Sequence, residues 1–523
     1  MPISNSCRGD RDTRGAQTGR DGDARGDSLR GSPAVWREGI RIIDQAAEPG
    51  TTSRALGVQA RTLEFYHQVA IAGAVVEAGV RSAALNLWVR GAEAARVPLQ
   101  RIGQGLTPFP FFLVFPQDAH ERLLIERLEA LGVTVDRQTE LVRFHQQRDN
   151  VWAVLKGPDG LEQVSEVAFL AGCDGAHSTV RQALEIGFPG GAYSQLFYVA
   201  DVEAGGPATD GDLHVDLDQA ELLAVFPMKG RGRVRLIGTV REEPGADGHE
   251  LSFDTVRGRA VEHLRLGVER VNWFSTYHVH HRVAHRFREG RVFLLGDAAH
   301  IHSPVGAQGM NTGIGDAVNL AWKLAGVLSG GAGDGLLDTY ELERMRFARR
   351  LVATTDRVFT VATKQGPIAD RVRTVLVPAV MPWLLRLPPV RRFVFRTVSQ
   401  IGIAYPTSPL SAGAAGAVRG GNRLPWVQTG ANEDNFAPLT SLAWQVHVYG
   451  EPAPGLAETC AHLGLPLHSF GWRAEMERAG FMRGALYVVR PDGYVALAVP
   501  DSDPEQVAHY LMERGLSCPS APT

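Results

Sequence analysis

Cysteine is scarce in this chain of 523 residues: four in all, Cys7, Cys173, Cys460 and Cys518, with no C-x-x-C pair. That spacing writes neither a zinc site nor a disulfide framework, and it fits a reducing cytoplasm, the expected location. A long apolar run is also missing. The start has no apolar leader segment, and the most apolar stretch, residues 375–385, is too short to span a bilayer and is broken by Pro378 and Pro382. Nor does one sign of charge dominate. Fifty-four Lys and Arg against 57 Asp and Glu leave a net charge of −3, which gives no global field to draw in nucleic acid or an anionic membrane, and neither is an expected partner. No G-x-S-x-G elbow, H-E-x-x-H helix or G-x-x-x-x-G-K-[ST] loop occurs, so hydrolase, zincin and P-loop chemistry have no support. Strand alternation would put only His278 and His280 of the histidine group 278–281 on one face, with no Cys or carboxylate beside them, and no metal is expected.

What is present starts with size. At 44% hydrophobic and 21% charged, and with roughly 150 residues per domain, the chain has room for about two to four cores. Residues 8–32 draw 17 of 25 positions from Arg, Gly and Asp and can form no core element. Near Ala34 the composition becomes ordinary, and residues 40–44 read as a short buried strand ending in a carboxylate. Residues 117–131 carry helical apolar spacing with Gly132 as a stop, and strand-like segments follow to Ala171. Between Gly187 and Arg286 apolar and polar residues alternate, as where Val234 and Leu236 alternate with Arg233 and Arg235, which predicts a half-exposed antiparallel sheet. Residues 292–295 then form a continuous apolar strand, and Ile314, Ala317, Ala321, Leu324 and Leu328 trace one helix face. An α/β unit is thus interrupted by a β-rich insertion and then completed. Residues 412–421 read as a Gly/Ala-rich linker. Beyond it, strands at 444–449, 485–489 and 494–497, the last two joined by a turn at 490–493, indicate a separate C-terminal domain.

Chemistry is written most densely at 291–324, RVFLLGDAAHIHSPVGAQGMNTGIGDAVNLAWKL. A strand ends at Gly296-Asp297, a Pro- and Gly-rich loop follows, and a helix opens near Met310 to Gly313. In this geometry a carboxylate and several backbone N–H groups converge on a ligand at a strand's carboxyl end. Asp297 can accept from a ribose or ribitol hydroxyl. Gly306, Gly309 and Gly313 let backbone approach a flat ring, and the helix start supplies positive potential suited to the electron-rich edge of a reduced flavin. Taken alone, Gly296-Asp297-Ala-Ala is as well read as a turn after a strand. A second string, AGCDGAHSTVR at 171–181, ends a strand at Asp174-Gly175, and Ser178 with Arg181 opens a helix where an anionic diphosphate is favoured; alone, Asp174 reads as a helix cap.

Together the two strings resemble the GD and DG motifs of the flavin-dependent aromatic hydroxylases, the para-hydroxybenzoate hydroxylase group of class A FAD monooxygenases. Arg41 to Gln45 with SRALGVQARTLE at 53–64 is similar to that family's second strand and arginine-bearing segment, and Phe115-Pro-Gln117 to its flavin-contacting helix start. The resemblance covers about residues 38–400. It implies that Asp44, Arg54, Gln117, Asp174, Gly175, Arg181, Gly296, Asp297, Pro304, Gly306, Gly309, Met310 and Asn311 bind cofactor, and that FAD and NAD(P)H serve to hydroxylate a small phenolic or polyketide aromatic: NAD(P)H reduces the flavin, O2 adds at C4a, and the hydroperoxide delivers one oxygen. The implied fold class is α/β, with a discontinuous Rossmann-like FAD-binding domain (38–186 and 287–410) and an inserted antiparallel β-sheet substrate domain (187–286). Residues 422–523, with GALYVVRPDGYVA, are similar to the thioredoxin-like extension of the phenol hydroxylase branch; lacking C-x-x-C, this tail is expected to have no redox chemistry, and the resemblance suggests homodimer contacts through it. No substrate base stands out, and Tyr198, Arg233 and Arg235 are read as surface or packing residues.

One departure matters. The family opens with a strand and G-x-G-x-x-G that hold the FAD diphosphate, and this chain has no such motif. Residues 1–37 are an aberrant segment of about the missing length. We hypothesise that residues up to about 33 are translated from a shifted reading frame; a glycine fingerprint in neither of the other two forward frames of the coding DNA would refute this. Losing that strand is expected to lower FAD affinity and stability. The alternative expectation is therefore an inactive or FAD-impaired remnant.

Overall fold

The computed structural model describes residues 39–50, 55–217, 222–240, 252–303, 306–363, 366–431 and 433–517. The aberrant segment and its frame hypothesis, Arg54 and Pro304 lie outside the described residues. The expected first strand forms as Ile42–Asp44, but Ile40 is 77% exposed and stays outside it. This strand pairs in parallel with Val135–Arg137, Asp44 opposite Arg137. Leu170–Gly172 pairs in parallel with Val292–Leu294, Gly172 opposite Leu294. Among the described residues these are two separate sheets, the second extended by Arg288–Glu289, which runs antiparallel to Val292–Leu294.

Val292, Phe293 and Leu294 are wholly buried, as a run apolar on both faces requires. Leu320, Leu337 and Tyr340, from helices Gly309–Leu328 and Gly335–Thr363, pack in the same cluster, and the Tyr340 hydroxyl donates to the Leu294 carbonyl at 2.7 Å.

Five strands of the inserted region join three from outside it in an eight-stranded sheet, in the order His300–Ile301, Gly267–Val283, Gly190–Gly205, Arg233–Val240, Leu223–Pro227, Leu213–Asp216, Ala84–Val89, Ala92–Pro98; the expected antiparallel insertion is corrected here, since Leu213–Asp216 runs parallel to Ala84–Val89. Trp88, Tyr198, Leu223 and Leu236 face a core closed by Phe253, Val256 and Leu264, so Tyr198 is a packing residue. The other face was expected in solvent, and Arg235 corrects that. It is 1% exposed and pairs with Asp201 at 2.7 Å. Alternation of arginine with valine looks amphipathic, but that strand face turns inward, and the charge is tolerated because a carboxylate lies on the neighbouring strand.

The supposed linker is also corrected. Ala412–Ala415 and Val418–Arg419 are strands in a six-stranded sheet that continues through Val495–Val499, Leu486–Val489, Gln445–Tyr449 and Leu467–Phe470. Its glycines serve close approach: a Cβ on Gly413, φ +69°, would lie 2.1 Å from the Ala498 carbonyl oxygen.

Two buried histidines make stability pH-dependent. Burial pushes His120, 2.6 Å from the Tyr66 hydroxyl, down to about 4, and His447, beside Gln445, down to about 3. Because the folded values are depressed, the unfolded chain binds more protons below its own value near 6.5. Each histidine's contribution is therefore complete above about pH 6.5 and is lost as pH falls toward the folded values. Lowering pH from about 7 to about 5 is expected to cost about 2 kcal/mol at each site. Urea midpoints at the two pH values measure this, and replacing both histidines by glutamine is expected to remove their share of the dependence, leaving that of His302, which burial also pushes down to about 4.

Candidate cofactor and substrate site

Because Gly172 lies opposite Leu294, the DG and GD loops leave the sheet side by side. The Leu295 N–H donates to the Gly172 carbonyl at 3.0 Å, and Arg181 donates to the Ala298 carbonyl at 2.9 Å and the Ala176 carbonyl at 2.8 Å. Its guanidinium lies 4.0 Å over the Phe188 ring. Arg181 thus ties one loop to the other. The helix it opens, Thr179–Ala183, has two of its leading N–H groups taken: Asp174 accepts from Val180 at 3.0 Å and Ser178 from Arg181 at 2.9 Å. Gly175 (φ +78°) and Gly296 (φ +56°) turn the two loops in a conformation that disfavours a side chain. Cys173, between them, is an inert thiol, pushed by burial up to about 12.

Helix Gly309–Leu328 begins at Gln308 with no side-chain cap, so its first turn offers N–H groups and a positive dipole end at the glycine loop. Two buried groups hold that end in place. The Asp316 carboxylate accepts from the Gly296 N–H at 3.0 Å, pairs with His300 at 2.8 Å and with Arg344 at 2.6 Å. Burial alone would raise its pKa, but Arg344 and His300 hold it below the ordinary carboxylate range. Asn311 spends both ends of its amide on the protein. Its oxygen accepts from the Gln59 N–H at 2.9 Å and the Thr62 hydroxyl at 2.7 Å, and its nitrogen donates to the carbonyls of Gly57 and Ala307, each at 2.8 Å. Gln59 Nε2 also donates to the Gly306 carbonyl at 2.8 Å. The Asn311 side chain clasps the 57–59 segment, while Met310 packs with Val58 and Phe115.

Segment 55–59 carries the site toward the remaining candidates. The Gln117 N–H donates to the Ala55 carbonyl at 3.1 Å, and Glu121, one turn on, lies 3.8 Å from Arg137, which pairs with Asp44 at 2.8 Å. Asp44 is nearly buried and also accepts from the Ala46 N–H. Asp174, Gly175, Arg181, Gly296, Asp297, Gly306, Gly309, Met310 and Asn311 gather around paired strand ends and one helix start; Asp44 and Gln117 join through this chain of contacts.

The glycine loop also meets the sheet. A Cβ on Gly57 would fall 2.6 Å from Ala307 Cβ and 3.0 Å from the Phe112 ring. Replacing Gly57 by alanine is expected to push the clasp off the loop, costing about 1–3 kcal/mol of stability and weakening flavin binding about tenfold; thermal unfolding and flavin fluorescence titration check it.

Asp316, Asn319, Lys323 and Arg344 were not among the expected residues. A signal existed: Asn311, Thr312, Asp316, Asn319 and Lys323 recur at helical spacing opposite the apolar face, and all are buried. A helix with a second, polar stripe that is also covered must be paired from elsewhere in the chain, as Arg344 and Glu343 pair it here.

The class that this fold and site define is that of the flavin-dependent aromatic hydroxylases. Residues 36–355 match the family described as FAD binding domain, and the chain belongs to it. It is 32% identical to 6-methylpretetramide 4-monooxygenase of Streptomyces rimosus over 87% of this chain and 86% of that one. It is 30% identical to a flavin-dependent monooxygenase of Mycobacteroides abscessus, over 88% and 93%. Among solved structures, the OxyS anhydrotetracycline hydroxylase of Streptomyces rimosus superposes with a TM-score of 0.72 at 28% identity, covering 92% of this chain and 95% of that one. The chain is an FAD-dependent aromatic monooxygenase that uses NAD(P)H. No helix among the described residues is long and apolar enough to cross a membrane.

The residues present suit the flavin end of FAD, where an uncapped helix start and glycine loop meet the acidic strand end. At the diphosphate end no glycine fingerprint occurs in the sequence, and the DG helix spends the N–H groups of Val180 and Arg181 on its own side-chain caps.

Proposed function

We propose that the chain hydroxylates a polycyclic phenolic aromatic held between the 306–311 loop and the sheet. One observation carries this reading. Phe112, Phe226, Ile237 and Leu85 are only partly buried where the sheet meets Leu56, beside Gly57, and Met381 and Leu385 close the same apolar cluster from a helix. A flat ring laid there displaces weakly held water, and an apolar wall keeps water from the reacting centre. Bound FAD, reduced by NAD(P)H, would activate O2, one atom of which is transferred to the ring while the other leaves as water. The chain's own work is to orient: Asp297 and Asp44 accept sugar hydroxyls, Gln117 and the first turn at Gly309 and Met310 face the ring system, and Asp316 holds the loop rigid. Arg54, Asp174, Gly175, Arg181, Gly296, Pro304, Gly306 and Asn311 complete the proposed cofactor-binding set. The relatives named for 6-methylpretetramide and anhydrotetracycline support a large fused substrate.

The finer architecture belongs to the same proposal. Residues 38–186 and 287–410 form a discontinuous Rossmann-like FAD-binding unit, 187–286 a substrate unit, and 422–523 a thioredoxin-like unit suited to homodimer contacts, in a cytoplasmic protein. Purified protein reconstituted with FAD is expected to consume NAD(P)H faster when fused-ring phenols are added, with product mass raised by one oxygen. Stimulation by monocyclic phenols alone would overturn the substrate class; no stimulation by either would overturn the reading.

A further inference from the structure

The net charge of −3 hides a local excess of the opposite sign. Residues 366–398 carry six arginines and one aspartate. They fold as consecutive helical pieces, Pro367–Arg371, Val372–Leu376, Val377–Leu384 and Pro388–Val398. Their inward positions are accounted for: Met381 and Leu385 pack against Val97 and Phe226, and Phe395 against Ala60 and Ile401. Their outward positions mix apolar side chains with arginines. Ile368 is 81% exposed, Phe393 71%, Val375 63% and Trp383 58%, and Leu376 and Leu387 are also exposed. No other stretch of the described chain concentrates large exposed apolar side chains in this way, and such patches on a folded surface mark an interaction site. Arg371, Arg386, Arg392 and Arg396 stand exposed among them, and none has a carboxylate partner among the described residues; Arg373 pairs with Asp370.

We propose that the outer surface of residues 367–398 docks the protein onto an anionic lipid surface. Charge decides among the occupants. In a symmetric dimer the same patch faces itself, and six arginines would oppose six arginines in a dehydrated contact. Nucleic acid would suit the arginines and leave the isoleucine, valine and phenylalanine in water. A membrane with acidic headgroups satisfies both: aliphatic and aromatic side chains enter the headgroup boundary, tryptophan sits at the interface, and arginines meet phosphates. The docked helix Val377–Leu384 has its other side, at Met381, on the apolar cluster that contains Leu56. The surface thus backs directly onto the substrate wall.

Co-sedimentation of the full chain with vesicles tests this. The protein is expected to pellet with vesicles of roughly equimolar phosphatidylglycerol and phosphatidylcholine and to stay in solution with phosphatidylcholine alone. Raising NaCl from about 0.05 M to about 0.5 M is expected to weaken binding severalfold. W383A/F393A and R386E/R392E replace exposed residues outside the cofactor site, and each is expected to lower partitioning about tenfold with an unchanged melting temperature. No binding to the anionic vesicles, or binding that both double variants retain, overturns the proposal. So does a dimer by light scattering that W383A/F393A converts to monomer, since the patch would then be covered by a second copy. These readouts need no catalytic turnover, so they stand or fall separately from the hydroxylase reading.

Discussion

Replacing Arg490 by alanine is expected to destabilise the protein by about 3–5 kcal/mol and to free the C-terminal unit from the FAD-binding unit. Sequence shows Arg490-Pro-Asp-Gly493 as an ordinary hairpin turn, a place where polar residues normally meet water. In the fold the turn is buried and driven between helices. Arg490 has no exposed surface; it donates to both oxygens of Glu343, at 2.7 and 3.0 Å, and to Asp492 at 3.0 Å. Glu343 also receives Lys323 at 2.9 Å, Asn319 at 2.7 Å and Ser408 at 2.7 Å. The next residues extend the grip, since Arg61 donates to the Asp492 carbonyl at 2.6 Å and Gln68 to the Pro491 carbonyl at 3.1 Å. Buried charges of this kind gain little over a well-packed apolar core, but removing one partner strands the other without solvation. Alanine leaves Asp492 stranded, and it loosens helix Gly309–Leu328, whose start frames the cofactor. Thermal unfolding and bound-flavin absorbance measure the effect. Arg490→Lys, which keeps the charge and loses the two-pronged geometry, is expected to fall between alanine and the parent; equal melting of all three would show the network to be inert.

FAD affinity is expected to rise at least about a hundredfold when residues 1–38 are replaced by a strand, a G-x-G-x-x-G loop and a helix of the dinucleotide-binding type, because a glycine-cradled helix start is the usual grip on a diphosphate. The described residues show where it would act. Ile42–Asp44 has one parallel neighbour, Leu170–Gly172 has one parallel neighbour, and no described strand joins the two sheets. Inserting a parallel strand between them would satisfy two rows of backbone hydrogen-bonding groups and bring Asp44 and the DG loop to one sheet edge. Fluorescence titration with FAD, and in parallel with FMN, measures the outcome. The expected gain is confined to FAD, since FMN lacks the second phosphate and adenosine. An equal gain for both would mean the graft only stabilises the fold, and no gain would remove the diphosphate argument.

Much of the site was legible beforehand for a physical reason. Asp174-Gly175 and Gly296-Asp297 lie at ends of short apolar runs, and backbone that must turn sharply beside a ligand demands glycine, so the loops and the helix start near Gly309 can be placed from residue type and spacing. What could not be read were partners distant along the chain. Asp316 meets Arg344 across 28 residues and Glu343 meets Arg490 across 147. No local pattern encodes such pairs. The misread segments share that cause. Residues 412–421 have a linker's composition, yet Gly413 answers to the backbone of Ala498 and Gly416 to that of Gly480, and Arg235 has a surface residue's alternation, yet Asp201 waits on the adjoining strand.

By itself, then, the order of residues determined the family, the flavin chemistry, the loops proposed for the cofactor and the missing glycine fingerprint. These depend on short contiguous strings whose backbone requirements are local. Tertiary structure alone decided that Asn311 is a clasp, that a surface-type turn is the buried joint between two units, and that arginines diluted in a nearly neutral chain are gathered on one apolar face. Each of these depends on which surfaces meet, and burial energy is settled only when distant segments exclude water from one another.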